Sequence, residues 1–269
     1  MRKSILNFII PVRHYLSVQD WVSVKNNLKN TLHSICGQVS DNWHCYIVAN
    51  EGTELPEIDD HFTIVKVNFP LNHLPDKNID LQLFYDKVRE DKGLRVYEAI
   101  KLCSSDDYFM VVDYDDFVHN SLSEFVAQNS TKSGWFISSG YFYSGGGFIL
   151  KHRHFDKVCG TSNIIKVSFL EQFFDEHGHL PMDKIKELLG SHKFIKDYMK
   201  SMNNEYHPLP FPGAIYNIGI PSSTSQTPSI IRRIISPKAI IKDPLEFISN
   251  VIGLRMVNRK ILASFNFKK

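Results

Sequence analysis

The sequence predicts an α/β fold, with an open, mixed but mostly parallel sheet flanked by helices and a basic amphipathic helical tail after it. Three observations carry the prediction. Short apolar runs alternate with stretches of helical periodicity, one of those runs ends abruptly in carboxylates, and charge is divided unevenly along the chain. A strand, helix, strand succession favours parallel pairing through right-handed crossovers. With 269 residues and 43% hydrophobic content the chain is long enough to bury a substantial core.

Residues 3–10 read as a buried strand. Residues 19–36 read as an amphipathic helix, because Trp21, Val24, Leu28, Leu32 and Ile35 recur at helical spacing. Residues 44–49 and 62–67 are the next two strands. Helical periodicity returns over 94–102 and leads into the strand 108–112, which runs directly into Asp113, Tyr114, Asp115 and Asp116. A helix is expected to start at Ser121 or Ser123. Beyond it, 135–139 and 147–151 look like strands around the glycine-rich turn 144–147, and 167–176 and 181–199 look helical. The proline-rich stretch 203–228 reads as irregular, the pattern of a functional loop or lid.

The acidic run bears most directly on chemistry. Carboxylates at the C-terminal end of a buried strand face the crevice where open α/β sheets bind ligands. Asp113 and Asp115 stand two apart, so both reach one ion if the chain is already turning. Hard oxygen donors of this kind suit Mg2+ or Mn2+, and such an ion typically carries a substrate diphosphate. The competing structural reading is a solvated turn in which an aspartate caps the next helix.

Composition narrows the classes further. The apolar run 5–12 is short and interrupted by Asn7 and Pro11, unlike a signal peptide, and no stretch approaches the roughly 18–20 apolar residues that span a bilayer. Cys36, Cys45, Cys103 and Cys159 show neither metal-ligand spacing nor a CxxC pair, and read as reduced core residues of a cytoplasmic protein. The net charge of +2 conceals an asymmetry: residues 230–269 hold nine Lys or Arg against Asp243 and Glu246, leaving 22 basic and 27 acidic side chains in residues 1–229. The tail interleaves those cations with aliphatic residues, in 230–235 and 245–265. That suits a helix in the headgroup layer of an anionic membrane, or one packed on the domain or a partner. No stacking platform accompanies the basic residues, so nucleic acid is not an expected partner.

The segments Phe8-Ile9-Ile10-Pro11-Val12-Arg13, Tyr46-Ile47-Val48-Ala49-Asn50-Glu51-Gly52, Asp91-Lys92-Gly93-Leu94-Arg95 and Val112-Asp113-Tyr114-Asp115-Asp116 together resemble, in order and spacing, the nucleotide-sugar half of a GT-A glycosyltransferase. The resemblance covers about the first 150 residues. In appearance it is nearest to the family-two-like bacterial enzymes that build surface polysaccharides such as O-antigen, lipopolysaccharide and capsule. It implies a Rossmann-like catalytic domain over 1–229, with a donor half at 1–120 and an acceptor half at 121–229, followed by the tail 230–269.

The same resemblance implies roles. Pro11, Val12 and Arg13 would line the uridine end of the site, with Asn50 or Glu51 where such enzymes usually carry an aspartate that reads the base. Lys92 and Arg95 would approach the diphosphate or ribose. Asp113 would contact sugar or ribose, Asp115 would bind the metal, and Asp116 is a substitute ligand. His192 is the expected third metal ligand, ahead of His207. The region 160–166, where inverting relatives often place an acidic base, has no carboxylate, so Glu171 and Asp183 are the nearest candidates and stereochemistry stays open.

The function implied is transfer of a hexose, with galactose the guess, from a UDP-sugar donor to a growing glycan on a lipid-linked acceptor. The enzyme would be peripheral at the inner face of the cell membrane, with Mn2+ or Mg2+ as cofactor and glycan-assembly proteins as possible partners. Two alternatives stand beside it. One is a nucleotidyltransferase, although Pro11-Val12-Arg13-His14 lacks the glycine-rich phosphate loop such enzymes usually carry after the first strand. The other is a catalytically silent GT-A-like binding module of a glycan assembly complex.

Overall fold

β1 (Leu6–Pro11) is buried at every position because both of its faces are covered. Leu6, Phe8 and Ile10 turn to a core shared with Leu28, Leu32 and Ile35, while Ile9 turns to one shared with Val96, Ala99 and Ile100. This two-sided burial is why the strand is continuously apolar rather than alternating. The computed structural model describes residues 5–219 and 252–267. β1 lies between β2 (Trp43–Asn50) and β4 (Tyr108–Val111), and β3 (Phe62–Val67) lies outside β2, all four parallel. The remaining strands, in chain order, are β5 (Phe117–Val118), β6 (Gly134–Phe136), β7 (Ser139–Tyr143), β8 (Phe148–Arg153), β9 (Asn163–Lys166), β10 (Tyr206–Pro208), β11 (Ala214–Asn217) and β12 (Leu254–Met256).

Seven strands form the larger sheet, in the order β10-β6-β9-β4-β1-β2-β3, and only β9 runs against its neighbours. This is a mixed α/β fold with a mostly parallel sheet flanked by helices, of Rossmann-like form. The chain moves outward from β1 to β2 and β3, then returns to β4 on the other side of β1. That reversal places the topological switch point between the C-terminal ends of β1 and β4, where open sheets bind ligands.

Helix α1 (Trp21–Ile35) covers one face, and its N-cap Asp20 accepts a hydrogen bond from the Ser23 amide at 3.0 Å. Helix α2 (Leu81–Ile100) covers the other and is capped in the same way by Asp80, which accepts from the Leu83 amide at 2.8 Å. α2 extends well N-terminal to the expected 94–102, because its first half buries little: Leu81, Leu83 and Tyr85 are exposed, and apolar periodicity is hidden there. Helix α3 (Leu122–Gln128) follows Ser121 at its N-cap position, as expected, though the serine side chain makes no capping bond.

A smaller sheet, ordered β12-β8-β7-β11-β5, stands beside the acidic turn. The glycine-rich turn joins β7 to β8 as an antiparallel hairpin, whereas the expected strand 135–139 divides into β6 of the large sheet and the start of β7. Part of the proline-rich stretch is ordered by pairing: β10 joins β6, and β11 joins both β5 and β7. The helical expectation for 167–176 resolves into a 3-10 helix, Val167–Phe173. That for 181–199 breaks at Gly190, after a helical turn Met182–Lys184 and a π-helical stretch Ile185–Leu189, and resumes as Ile195–Ser201.

The end of the tail is built into the domain. β12 pairs with β8, and the terminal helix Arg259–Phe265 is capped by Asn258, which accepts from the Ile261 amide at 3.0 Å. Val257, Ile261, Phe265 and Phe267 pack with Phe117, Tyr143, Ile149 and Ile215. The apolar face of this helix is therefore turned to the protein's own core, as the packing alternative requires, and not outward to lipid. The stretch 230–235 and the first part of 245–265 lie outside the described residues. Among the described residues no helix is long and apolar enough to cross a membrane.

Candidate active site

The switch point opens into a cavity of about 540 Å³. β1 and the turn after it contribute Pro11, Arg13 and His14, α2 contributes Arg89, Lys92 and Arg95, and the acidic turn contributes Asp113, Tyr114 and Asp115. Cations spaced three apart on one helix thus face carboxylates at the tip of the central strand.

The acidic turn is held from several sides. The Asp116 amide donates to the Asp113 carbonyl at 3.0 Å, closing the turn, and the Asp113 amide donates to Thr161 Oγ1 at 2.9 Å. From α1, Thr31 Oγ1 donates to the Tyr114 carbonyl at 2.9 Å. Neither the solvated turn nor the helix cap of the structural alternative applies, since Asp115 and Asp116 are buried and α3 follows Ser121.

The three aspartates have different duties. Asp113 pairs with Lys92 at 2.5 Å. Burial works against the Lys92 charge, but Asp113 outweighs it and raises the lysine's pKa. Asp115, 6% exposed, lines the cavity without a salt bridge among the described residues, and burial together with the Asp113 charge pushes its pKa up to about 7. Asp116 does not line the cavity. It accepts from the Asn217 amide at 3.2 Å and from Cys159 Sγ at 3.3 Å, so it ties β11 and the 159–161 loop to the turn, and burial followed by its two acidic neighbours raises its pKa strongly.

Arg95 is fully buried, held by Asp91 through Nε at 3.0 Å and Nη2 at 2.9 Å, with its guanidinium 5.5 Å from the centre of the Phe69 ring. Its Nη1 is buried without a partner among the described residues. A fixed guanidinium with a spare donor in a ligand-sized crevice suits an anionic oxygen.

Two glycines let this wall form. A Cβ on Gly190 would stand 2.1 Å from the Arg89 carbonyl oxygen, so only glycine lets the chain cross α2 closely enough to bring Ser191, His192 and Lys193 to the cavity. A Cβ on Gly160 would stand 2.7 Å from Asp113 Oδ2 and 3.0 Å from Lys92 Nζ, inside the ion pair. His192 lines the cavity as expected, but burial and the Lys92 charge lower its pKa to about 4, so it is neutral, and its Nε2 is buried without a partner among the described residues.

The remaining expectations fall elsewhere. Val12 is in the core. Asn50 donates to the Phe69 carbonyl at 2.7 Å and shapes the loop after β3 rather than the cavity, and Glu51 is exposed in a turn. Glu171 bonds to Ser105 Oγ, near the N-terminal end of β4, away from the acidic tip. Asp183 is an exposed partner of Lys184, and His207 an exposed residue of β10. Of the four cysteines, Cys45 and Cys159 are buried as expected, whereas Cys36 is exposed. Sequence reasoning missed Arg89, Tyr114, Lys193, Tyr216 and the loop residues Asn72 and His73, all of which line the cavity. Arg89 was detectable, one turn before Lys92 on the same helical stripe; Tyr216 arrives only through the pairing of β11.

A divalent ion fits this donor set in part. Asp113 and Asp115 line the cavity from the acidic turn, with Asp91 committed to Arg95, and burial first and the Asp113 charge second raise the pKa of Asp115. The three-residue cage of Asp113, Asp115 and His192 is not formed: among the described residues no three His, Cys, Asp or Glu side chains converge as metal ligands. Ligands beyond the carboxylates would come from phosphate oxygens and water, as is usual for Mg2+.

No family model matches the chain, and no curated protein matches it. Solved structures resemble it distantly, and two of them serve as examples. One is 2-C-methyl-D-erythritol 4-phosphate cytidylyltransferase from Francisella tularensis, at 13% identity and TM-score 0.39, covering 76% of this chain and 90% of that one. The other is Rv0371c from Mycobacterium tuberculosis H37Rv, at 8% identity and TM-score 0.38, covering 84% and 94%.

Proposed function

We propose that the chain is a nucleotide-dependent transferase, and that within this class it moves a hexose from a UDP-sugar to a glycan acceptor. The observation that carries the proposal is the crevice at the switch point, where Lys92, Arg95 and Arg89 on α2 face Asp113 and Asp115 on the turn after β4. A nucleoside diphosphate needs positive charge both to bind and to depart, and the crevice offers it from fixed side chains. In this reading Arg95, immobilised by Asp91, and Lys92, held by Asp113, grip the diphosphate. Asp113 and Asp115 hold Mg2+ or Mn2+, which when bound supplies further charge neutralisation to the departing diphosphate. Burial of Asp115 and of the arginine keeps water from screening these contacts.

The same crevice serves a second reading, nucleotidyl transfer, the chemistry named for the Francisella tularensis structure. After β1 the chain turns through a 3-10 helix, Tyr15–Ser17, with no glycine, which leaves glycosyl transfer our first reading. Product analysis separates them. Incubation with UDP-sugars and Mn2+ should release UDP, and Asp115→Ala should abolish the release; pyrophosphate from nucleoside triphosphates would establish the second reading instead. Release of neither by the intact chain would refute both.

A further inference from the structure

We propose that the outer edge of the smaller sheet, where β8 pairs with β12, docks the protein on an anionic lipid membrane. The inference does not depend on the transfer reading. Segments 139–155 and 252–267 together carry Lys151, Arg153, Arg255, Arg259 and Lys260, all exposed, and not one Asp or Glu. Lys151, Arg255 and Lys260 line a shallow cavity of about 400 Å³ with Tyr141 and Asn258. Cations gathered in this way, with no salt bridge among the described residues, attract phosphate headgroups.

Charge alone would suit any polyanion, and the apolar groups at the same edge narrow the choice. Phe148 and Met256 face each other in register across β8 and β12, and are 53% and 70% exposed; Ile252, just before β12, is 65% exposed. Beside Phe148 the hairpin tip Gly145–Gly147 has open space around it. Met256 lines the same cavity as Lys151, Arg255 and Lys260, so apolar and cationic groups meet along this edge. The edge itself, rather than either face, is then what meets the bilayer: apolar groups enter between headgroups while cations on the flank reach the phosphates. Phe148 is the one exposed aromatic among the described residues of this edge, Tyr141 being half-buried, and the two offer no stacking row, which disfavours nucleic acid. This places membrane contact on residues whose apolar side chains are free, unlike those of the terminal helix.

The test is co-sedimentation of the full chain with phosphatidylglycerol-containing and pure phosphatidylcholine vesicles. The chain should bind the anionic vesicles only, and less as salt rises. The triple variant Lys151→Glu, Arg255→Glu, Lys260→Glu should weaken that binding by at least roughly tenfold. Its glutamine counterpart should weaken it less, with unchanged thermal unfolding showing that the fold is intact. Phe148→Ser with Met256→Ser should reduce vesicle binding severalfold without altering binding to heparin, a soluble polyanion. Equal binding to neutral vesicles would overturn the proposal. So would unchanged binding of the folded triple variant, which would assign attachment to the basic residues between 230 and 251. Unchanged vesicle binding after loss of Phe148 and Met256 would mark a general polyanion site and overturn it too.

Discussion

Asp115→Asn should stabilise the fold at pH 8 while abolishing transfer. Asp115 is 6% exposed, and burial with the neighbouring Asp113 moves its pKa from 3.8 to about 7. The folded chain therefore binds this proton more tightly than the unfolded chain. Below about pH 3.8 both states are protonated and the group costs nothing. As pH rises to about 7 the unfolded chain releases the proton first, stability falls, and above that the full penalty is present. At 1.36 kcal/mol per pH unit the displacement corresponds to roughly 4 kcal/mol. Local relaxation offsets part of this, so the asparagine variant should gain roughly 2–4 kcal/mol at pH 8. Guanidinium midpoints in EDTA at pH 8 and pH 5 measure it, and the gap between the proteins should narrow at the lower pH. Millimolar Mn2+ should raise the midpoint of the wild type but not of the variant. A variant no more stable than wild type at pH 8, or an equal response of both to Mn2+, would refute the reasoning.

Three further outcomes are expected. His119, packed against Phe211 and Phe265, has its pKa lowered by burial to about 4, so protons favour the unfolded chain as pH falls from 6.5 toward 4. His119→Asn should flatten an acid-side loss of roughly 2 kcal/mol in urea titrations at pH 7 and pH 5, most visibly in the Asp115→Asn background, where the opposing slope is absent. The two glycines should separate stability from binding. Gly190→Ala, which drives a methyl into the Arg89 carbonyl, should cost roughly 3 kcal/mol in chemical denaturation. Gly160→Ala, which meets only the movable ends of Asp113 and Lys92, should change stability by less than about 1 kcal/mol but raise the Kd for UDP in calorimetry. Lys92→Gln should weaken UDP about tenfold in the same titration, the worth of one charge-assisted contact.

The two strands that flank the switch point were legible because each is buried on both faces, and 108–112 overruns β4 by one residue; 62–67 coincides with β3, although that edge strand is only partly buried. The acidic tip was legible for the same reason, since three carboxylates interrupt an otherwise unbroken apolar run. The first half of α2 was not, although it carries Arg89 and Lys92. It faces the cavity and the 185–190 crossing rather than the core, and so lacks the apolar period that marks a helix. β10 and β11 were hidden among prolines, and their strand character comes from partners distant in the chain. The composition of the tail left two readings open, and for its described end the packing one holds: Phe265 and Phe267 close a core with Phe117 and Tyr143. Charge in a sequence fixes which face is wet, and only tertiary contact tells which side of the remaining surface is covered.

The central claim is that the acidic tip and the α2 cations jointly bind a nucleoside diphosphate. Calorimetric titration of UDP into the full chain, with Mn2+ and again in EDTA, addresses it directly. Binding that requires the ion, disappears in Asp115→Ala and weakens in Lys92→Gln is the predicted result. Binding of equal strength in EDTA and in Asp115→Ala, or no binding under any condition, would contradict it.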